Sequence, residues 1–219
     1  MTKPTFYSIN EDGYYDTTSS LLARYGFQSV PIDDADILVF NGGADIATSI
    51  YNEGPVFPGI PRNLSFRDKV EVELFEEFVN KKFMFGICRG AQLLNCLNGG
   101  SLWQHVNNHQ RDHKMIDLRT GEIIQVTSTH HQMMRPSNDA EIIGVANECT
   151  YRMCAPMDEI IEPSDDIRKG KDVEVVWYQA GKSLCIQGHP EYVPGSRFAT
   201  WSINLLLEKM GLQSLTEAA

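Results

Sequence analysis

Short apolar runs alternate with helix-period stretches along most of this chain. Ala35 to Phe40 reads as a strand and ends at Asn41-Gly42-Gly43, a turn. An apparent strand at Phe27 to Pro31 precedes it with only a few residues between. Ser65 followed by Asp68 has the form of a capping box opening a helix, with Phe66, Val70, Leu74 and Phe78 recurring on one face. Phe83 to Ile87 is a continuous apolar run, as a strand buried on both faces requires. A helix over about Ala91 to Leu97 follows and is closed by Asn98-Gly99-Gly100.

Further strands are predicted at Glu122 to Thr127, Glu141 to Ala146, Glu174 to Gln179 and Leu184 to Gly188, and a last amphipathic helix from about Arg197 to Met210. Strand–helix alternation in the first half implies a parallel sheet covered by helices, and the later strands imply antiparallel additions. The expectation is one α/β domain over residues 1–219. Its fold class is flavodoxin-like, a doubly wound, mostly parallel sheet with helices on both faces and a site at the carboxyl edge of the sheet.

Composition narrows the function classes. A chain of 219 residues with 42% hydrophobic content can bury a sizeable core. A formal net charge of -10 argues against nucleic acid as partner. The run Asp158, Glu159, Glu162, Asp165 and Asp166 reads as a solvated loop. No apolar run is long enough to span a bilayer and no signal region follows Met1, so a cytoplasmic protein without a membrane partner is expected. Five cysteines without a CxxC pair fit reduced thiols, four of them as small buried hydrophobes. Asn63-Leu64-Ser65 fits a glycosylation sequon without a secretory context. Phe198 and Trp201, beside Leu205, read as core or a subunit contact.

Cys88 differs from the other thiols because of its neighbours. Gly86-Ile87-Cys88-Arg89-Gly90 sits where the buried strand turns into a helix, the arrangement of a nucleophile elbow with Cys in place of Ser. So sharp a turn needs nearly side-chain-free flanks, and the sulfur then lies at a helix N-terminus, which favours its reactive form. Late in the chain a strand runs into His189-Pro190-Glu191. Positions i and i+2 of an extended segment face one side, and Pro190 favours extension at His189. The Glu191 carboxylate can therefore accept one imidazole N–H and leave the other nitrogen facing Cys88, the logic of a triad. In α/β-hydrolases the acid precedes the histidine; here it follows by two residues.

At these residues the chain resembles the class I glutamine amidotransferase-like superfamily, and within it the γ-glutamyl-γ-aminobutyrate hydrolase group. The matching stretches are Gly42 to Ile46, Tyr51 with Glu53, Arg67-Asp68 with Glu71, Gly86 to Asn95, Gly99 to Leu102, Ser128 to Gln132, and Gly188 to Glu191. The resemblance implies a thiol nucleophile, a glutamyl thioester and no cofactor. It also implies an oxyanion hole from the backbone N–H groups of Arg89 and Gly43, a glutamyl contact at Gln92, and a substrate loop at Thr129, His130 and His131. The chain departs from the pattern in the short segment before the Gly-Gly loop, where a usual helix is missing, and at Thr48, where Pro is common.

The expected activity is hydrolysis of a small-molecule γ-glutamyl amide, glutamine included. The alternative is a glutaminase subunit passing ammonia to a separate synthetase partner, and a third class is a non-catalytic binding protein on the same fold. His105, His109 and His113 recur every four residues, but the surrounding Asn107, Asn108 and Gln110 read as a polar loop and no carboxylate or Cys completes a ligand set, so no metal is expected.

Overall fold

The computed structural model describes residues 3–9, 16–147, 152–153, 160–161 and 171–214. The acidic run Asp158 to Asp166, Cys149 and Cys154 lie outside the described residues.

One sheet organises the chain. β1 (Thr5–Ile9), β2 (Gln28–Ser29), β3 (Ile37–Phe40), β4 (Phe83–Ile87) and β14 (Ser183–Ile186) lie parallel in the order β2-β1-β3-β4-β14. Beyond β14 the sheet continues antiparallel through β13 (Val173–Tyr178), β10 (Glu141–Ala146), β7 (His113–Asp117) and β8 (Ile123–Val126). This is the flavodoxin-like, doubly wound architecture with antiparallel additions. The short strands β5 (Ser101–Trp103) and β9 (Met133–Arg135) pair with each other, and β9 joins β13. β6 (His105–Val106) pairs with β11 (Arg152–Met153), and β11 with β12 (Ile160–Ile161).

The helices follow from capping and burial. α1 (Thr17–Arg24) is capped by the Asp16 side chain on Ser19 N–H. α2 (Phe66–Phe78) opens on the expected capping box, in which Ser65 and Asp68 satisfy each other's backbone N–H groups. Ser65 is therefore a helix cap. α3 (Arg89–Leu97) starts two residues before its apolar pattern does, because Cys88 is its cap residue. α4 (Arg197–Lys209) buries Phe198, Ile203 and Leu206 against the sheet, and Trp201 donates its indole N–H to Asp117 at 2.9 Å. No helix among the described residues is long and apolar enough to cross a membrane.

α2 corrects the predicted apolar face. Phe66 is 73% exposed, whereas Asp68, Glu71, Phe75 and Phe78 are buried. The helix is rotated because two of its carboxylates are turned inward to meet Arg89, and charge pairing rather than the periodic apolar pattern sets its orientation. Between β2 and β3 only a single 3-10 turn, Ile32–Asp34, is found, in line with the missing helix.

The elbow depends on close backbone approach. A Cβ on Gly90 would collide with the Phe40 backbone at the end of β3, and one on Gly86 would lie 2.7 Å from backbone atoms of Gly90 and Ala91. Gly90→Ala should therefore destabilise the protein by about 3 kcal/mol in urea titration, the upper range of overpacking effects. A loss within about 0.5 kcal/mol would show that the strand and helix are not held this tightly.

Candidate active site

The carboxyl ends of three neighbouring parallel strands meet at one place. β3 leads into Gly42-Gly43, β4 into Cys88, and β14 into Gln187-Gly188-His189. Registers Phe40↔Gly86 and Ile186↔Ile87 bring these ends level, so residues nearly 150 apart in sequence become neighbours.

Cys88 sits at φ 50 and ψ -110, a sparsely populated conformation for a residue with a side chain. Its N–H bonds to Ile186 O at 2.9 Å and its carbonyl accepts from Gln92 N–H at 3.0 Å, which fixes it between sheet and helix. Cys96 and Cys185 are also buried, and burial pushes both thiols up beyond the reach of ordinary thiolate chemistry.

His189 and Glu191 adopt the expected relation. Nδ1 lies 2.7 Å from Glu191 Oε1, and both residues are buried. Since the carboxylate accepts, Nδ1 carries a proton. The imidazole lines the same cavity as Cys88, and the His189 Nε2 is 3.0 Å from Thr129 Oγ1. Burial works against charge on this ring. The hydrogen bonds and charges of Cys88 and Glu191 outweigh it and raise the pKa from 6.5 to about 11, so at neutral pH the Cys88 sulfur faces an imidazolium. The His189 backbone is held by Thr127, whose carbonyl accepts its N–H at 2.8 Å and whose hydroxyl donates to its carbonyl.

Gly42 and Gly43 pass directly over this pair. A Cβ on Gly42 would be 3.1 Å from His189 Cε1 and 3.7 Å from Cys88 Cβ. Arg67 fixes the loop from behind by donating to Gly42 O at 3.1 Å and to Asn41 O at 2.8 Å. The Gly42 carbonyl and the Gly43 N–H belong to one trans peptide unit and point opposite ways. With the carbonyl held by Arg67, the Gly43 N–H is turned away from Arg67, and Gly43 lines the cavity. Arg89 contributes its backbone at the start of α3, while its buried side chain runs away from the cavity to Asp68 Oδ1 at 2.6 Å and to Glu71 Oε2. Glu71 also pairs with Arg67 at 3.0 Å. Two guanidinium groups and two carboxylates thus form one buried, neutral cluster beneath the loop.

The cavity is small, about 200 Å³, and Cys88, His189, Gln92 and Tyr192 are among its walls. Gln92 is buried and donates to Gln132 O at 3.1 Å. The three adjacent residues expected as a substrate loop do three different things. Thr129 contacts His189. His130 reaches the cavity wall but turns its ring nitrogens to Gln132 O and towards Glu174. His131 pairs with Asp45 at 3.1 Å, and Asp45 holds its pKa above the ordinary value.

Sequence reasoning overlooks Asp45, Arg67 as a loop anchor, and Tyr192, whose ring stacks on His189 at 4.2 Å with an interplanar angle of 9°. Asp45 and Arg67 lie within stretches that carry the family resemblance, and Tyr192 directly follows Glu191. Their positions were visible, but their directions were not.

Residues 27–133 match the model of the Peptidase C26 family. The glutamine amidotransferase-like protein YvdE of Lactococcus lactis subsp. lactis is 28% identical over 163 residues, 71% of this chain and 66% of its own length. The chloroplastic carbamoyl phosphate synthase small chain of Oryza sativa subsp. japonica is 25% identical over 70% of this chain and 30% of its own length. The matches span 30 to 66% of the length of curated relatives such as these. Among solved structures, PurLQS from Thermotoga maritima superposes with a TM-score of 0.61 at 14% identity, covering 95% of this chain and 100% of that one. The chain is similar to glutamine amidotransferase-like proteins in sequence and shares their fold.

The raised pKa of His189 predicts a pH signature. Its charged form is favoured in the folded state, so its contribution to stability is complete below about pH 6.5 and is lost as pH rises towards about 11. The urea-midpoint gap between wild type and His189→Gln should therefore shrink steadily over that interval. A gap that widens with rising pH would contradict an imidazolium at this position.

Proposed function

We propose that the chain is a cysteine hydrolase of small γ-glutamyl amides, glutamine included. The observation that carries this reading is the convergence of Cys88, His189 and Glu191 beneath the Gly42-Gly43 loop at one cavity. Cys88 is the nucleophile, His189 the acid and base, and Glu191 the group that orients the imidazole. The Cys88 sulfur attacks the γ-carbonyl carbon and forms a C–S bond as the carbonyl π electrons move to oxygen. The backbone N–H groups of Gly43 and Arg89 receive that oxyanion, each donor being worth about 3 kcal/mol of barrier. Collapse breaks the C–N bond, His189 protonates the departing amine or ammonia, and a glutamyl thioester remains. His189 then takes a proton from water, the resulting hydroxide attacks the thioester, and glutamate leaves as the thiol is restored.

A cavity of about 200 Å³ suits an amino-acid-sized acyl group, being below the roughly 300–1,000 Å³ of pockets that take drug-sized ligands. At its rim Asp45 offers a carboxylate for an α-ammonium group and His131 an imidazole for an α-carboxylate. Gln92 supplies a polar wall for the chain between them. A second reading, a glutaminase subunit passing ammonia to a separate synthetase, draws on the similarity to a carbamoyl phosphate synthase small chain. The partner would then be another chain.

Ammonia, amine and glutamate release from glutamine and a panel of γ-glutamyl amides tests both readings. Turnover of a γ-glutamyl amide by the isolated chain, abolished in Cys88→Ala with an unchanged melting temperature, is the expected result. Weak glutamine turnover that rises with a co-purifying chain would favour the subunit, and an unreactive Cys88 with no turnover would remove the enzymatic reading.

Arg67 separates positioning from binding. Arg67→Met releases the Gly42 carbonyl and frees the Gly42–Gly43 peptide to rotate. We expect kcat to fall about 100-fold while KM changes less than about threefold, the pattern of a lost oxyanion donor. A rise in KM at constant kcat would place Arg67 in substrate binding instead.

A further inference from the structure

Away from Cys88, on the antiparallel side of the sheet, His109, His113, His130 and Glu174 come together, with one ligand atom of each lying within 4.8 Å of the others. Glu174 Oε1 is 2.9 Å from His113 Nε2, 3.2 Å from His109 Nδ1 and 3.7 Å from His130 Nε2. The residues come from the 107–112 segment, β7, the 127–132 segment and β13. Their side chains are 1 or 2% exposed, except His113 at 16%. The carboxylate missing from the histidine spacing is therefore Glu174, about 60 residues downstream, and His130 replaces His105, which stacks on Phe57 elsewhere.

The other nitrogen of each ring settles what the inward one can do. His113 Nδ1 faces Arg111 O at 3.1 Å and His130 Nδ1 faces Gln132 O at 2.9 Å. A carbonyl only accepts, so both Nδ1 atoms carry the proton, and in the neutral ring each Nε2 presents a lone pair. His109 Nε2 is 2.9 Å from Asp172 Oδ2, which leaves Nδ1 as its inward lone pair. With all three rings neutral, three imidazole lone pairs converge on one carboxylate, an arrangement that requires positive charge at its centre. Protons answer this only in part, since of the three inward nitrogens His113 Nε2 alone makes a hydrogen bond to Glu174 Oε1, at 2.9 Å. His109 Nδ1 and His130 Nε2 are buried without a hydrogen bond, and so is Glu174 Oε2. One oxygen cannot accept three aligned N–H bonds.

A metal ion answers it directly. Ligands about 2.0–2.1 Å from a tetrahedral centre are about 3.3 Å apart, close to the 2.9–3.7 Å between Glu174 Oε1 and the three nitrogens, and all four ligand atoms lie within 4.8 Å. Each histidine has the carboxylate or carbonyl partner that orients metal-bound imidazole. Three nitrogens and one carboxylate suit a borderline ion rather than Mg²⁺ or Ca²⁺, which take oxygen shells. We infer that His109, His113, His130 and Glu174 form a closed, structural Zn²⁺ site that pins the 127–132 segment to the sheet. Through His130 the ion holds Thr129 beside His189 and His131 beside Asp45. It is separate from the Cys88 chemistry and takes part in no step of it.

The test uses untagged full-length protein produced with zinc in the medium and measured by plasma mass spectrometry after gel filtration. One Zn²⁺ per chain is expected, and Glu174→Gln and His113→Gln should each reduce it at least tenfold. Chelator-stripped wild type should melt roughly 5–10 °C lower and recover on adding Zn²⁺ alone. Co²⁺ in its place should give the visible spectrum of a tetrahedral centre. Should the variants not fold, the wild-type measurements decide. Less than about a tenth of an equivalent of metal, with no calorimetric uptake of Zn²⁺ by stripped protein near pH 7.5, overturns the site, as does an octahedral Co²⁺ spectrum. None of these readouts needs turnover, so they stand or fall independently of the γ-glutamyl reading.

Discussion

The buried cluster of Arg67, Glu71, Arg89 and Asp68 is the interaction on which the cavity depends. It occupies the angle between α2, the start of α3 and the loop after β3, and it fixes all three at once. Because the four charges cancel, the cluster tolerates burial that an isolated ion would not. Removing Arg89 leaves Asp68 without its guanidinium, and removing any other member leaves a net charge in the buried cluster; breaking a buried pair typically costs about 3–5 kcal/mol. The same contacts set the rotation of α2 and the direction of the Gly42–Gly43 peptide. Stability and proposed oxyanion geometry are therefore not separable here.

Above that cluster, the parallel sheet does the long-range work. Strands β3, β4 and β14 are adjacent, so their carboxyl ends deliver a loop, a sulfur and an imidazole to one edge without any long connection having to be ordered for the purpose. The strain at Cys88 is sustained because its N–H is tied to β14 and its carbonyl to α3. Gly86 and Gly90 permit the approach, and the cost of the strained residue is spread over a fully buried neighbourhood.

The parts legible in sequence were those written in local pattern. The apolar run before Cys88, the Gly flanks, the Ser65–Asp68 cap and the His189–Glu191 spacing each state their structure within a few residues. Strands such as β5, β6 and β9 are two or three residues long and carry no period to read. The face of α2 was misjudged because periodicity counts apolar residues and is blind to carboxylates that are buried as pairs. The Glu174 contact was invisible for another reason. Glu174 lies in a strand whose other positions are apolar and buried, and only the pairing of β13 with β10, and of β10 with β7, brings it to His113.

The segment from Thr127 to Gln132 joins these observations. Thr127 holds the His189 backbone, Thr129 its ring, His130 enters the histidine–carboxylate group, His131 meets Asp45, and Gln132 receives both Gln92 and His130. Such a segment has little regular structure with which to resist motion, and its backbone entropy would otherwise favour many conformers. Tethering its middle residue to two strands removes most of that freedom. The neighbours on either side then need no anchors of their own beyond the groups they serve. On this argument the histidine cluster and the Cys88 site are two ends of one constraint. The first fixes where the loop can be, and the second uses the positions that result.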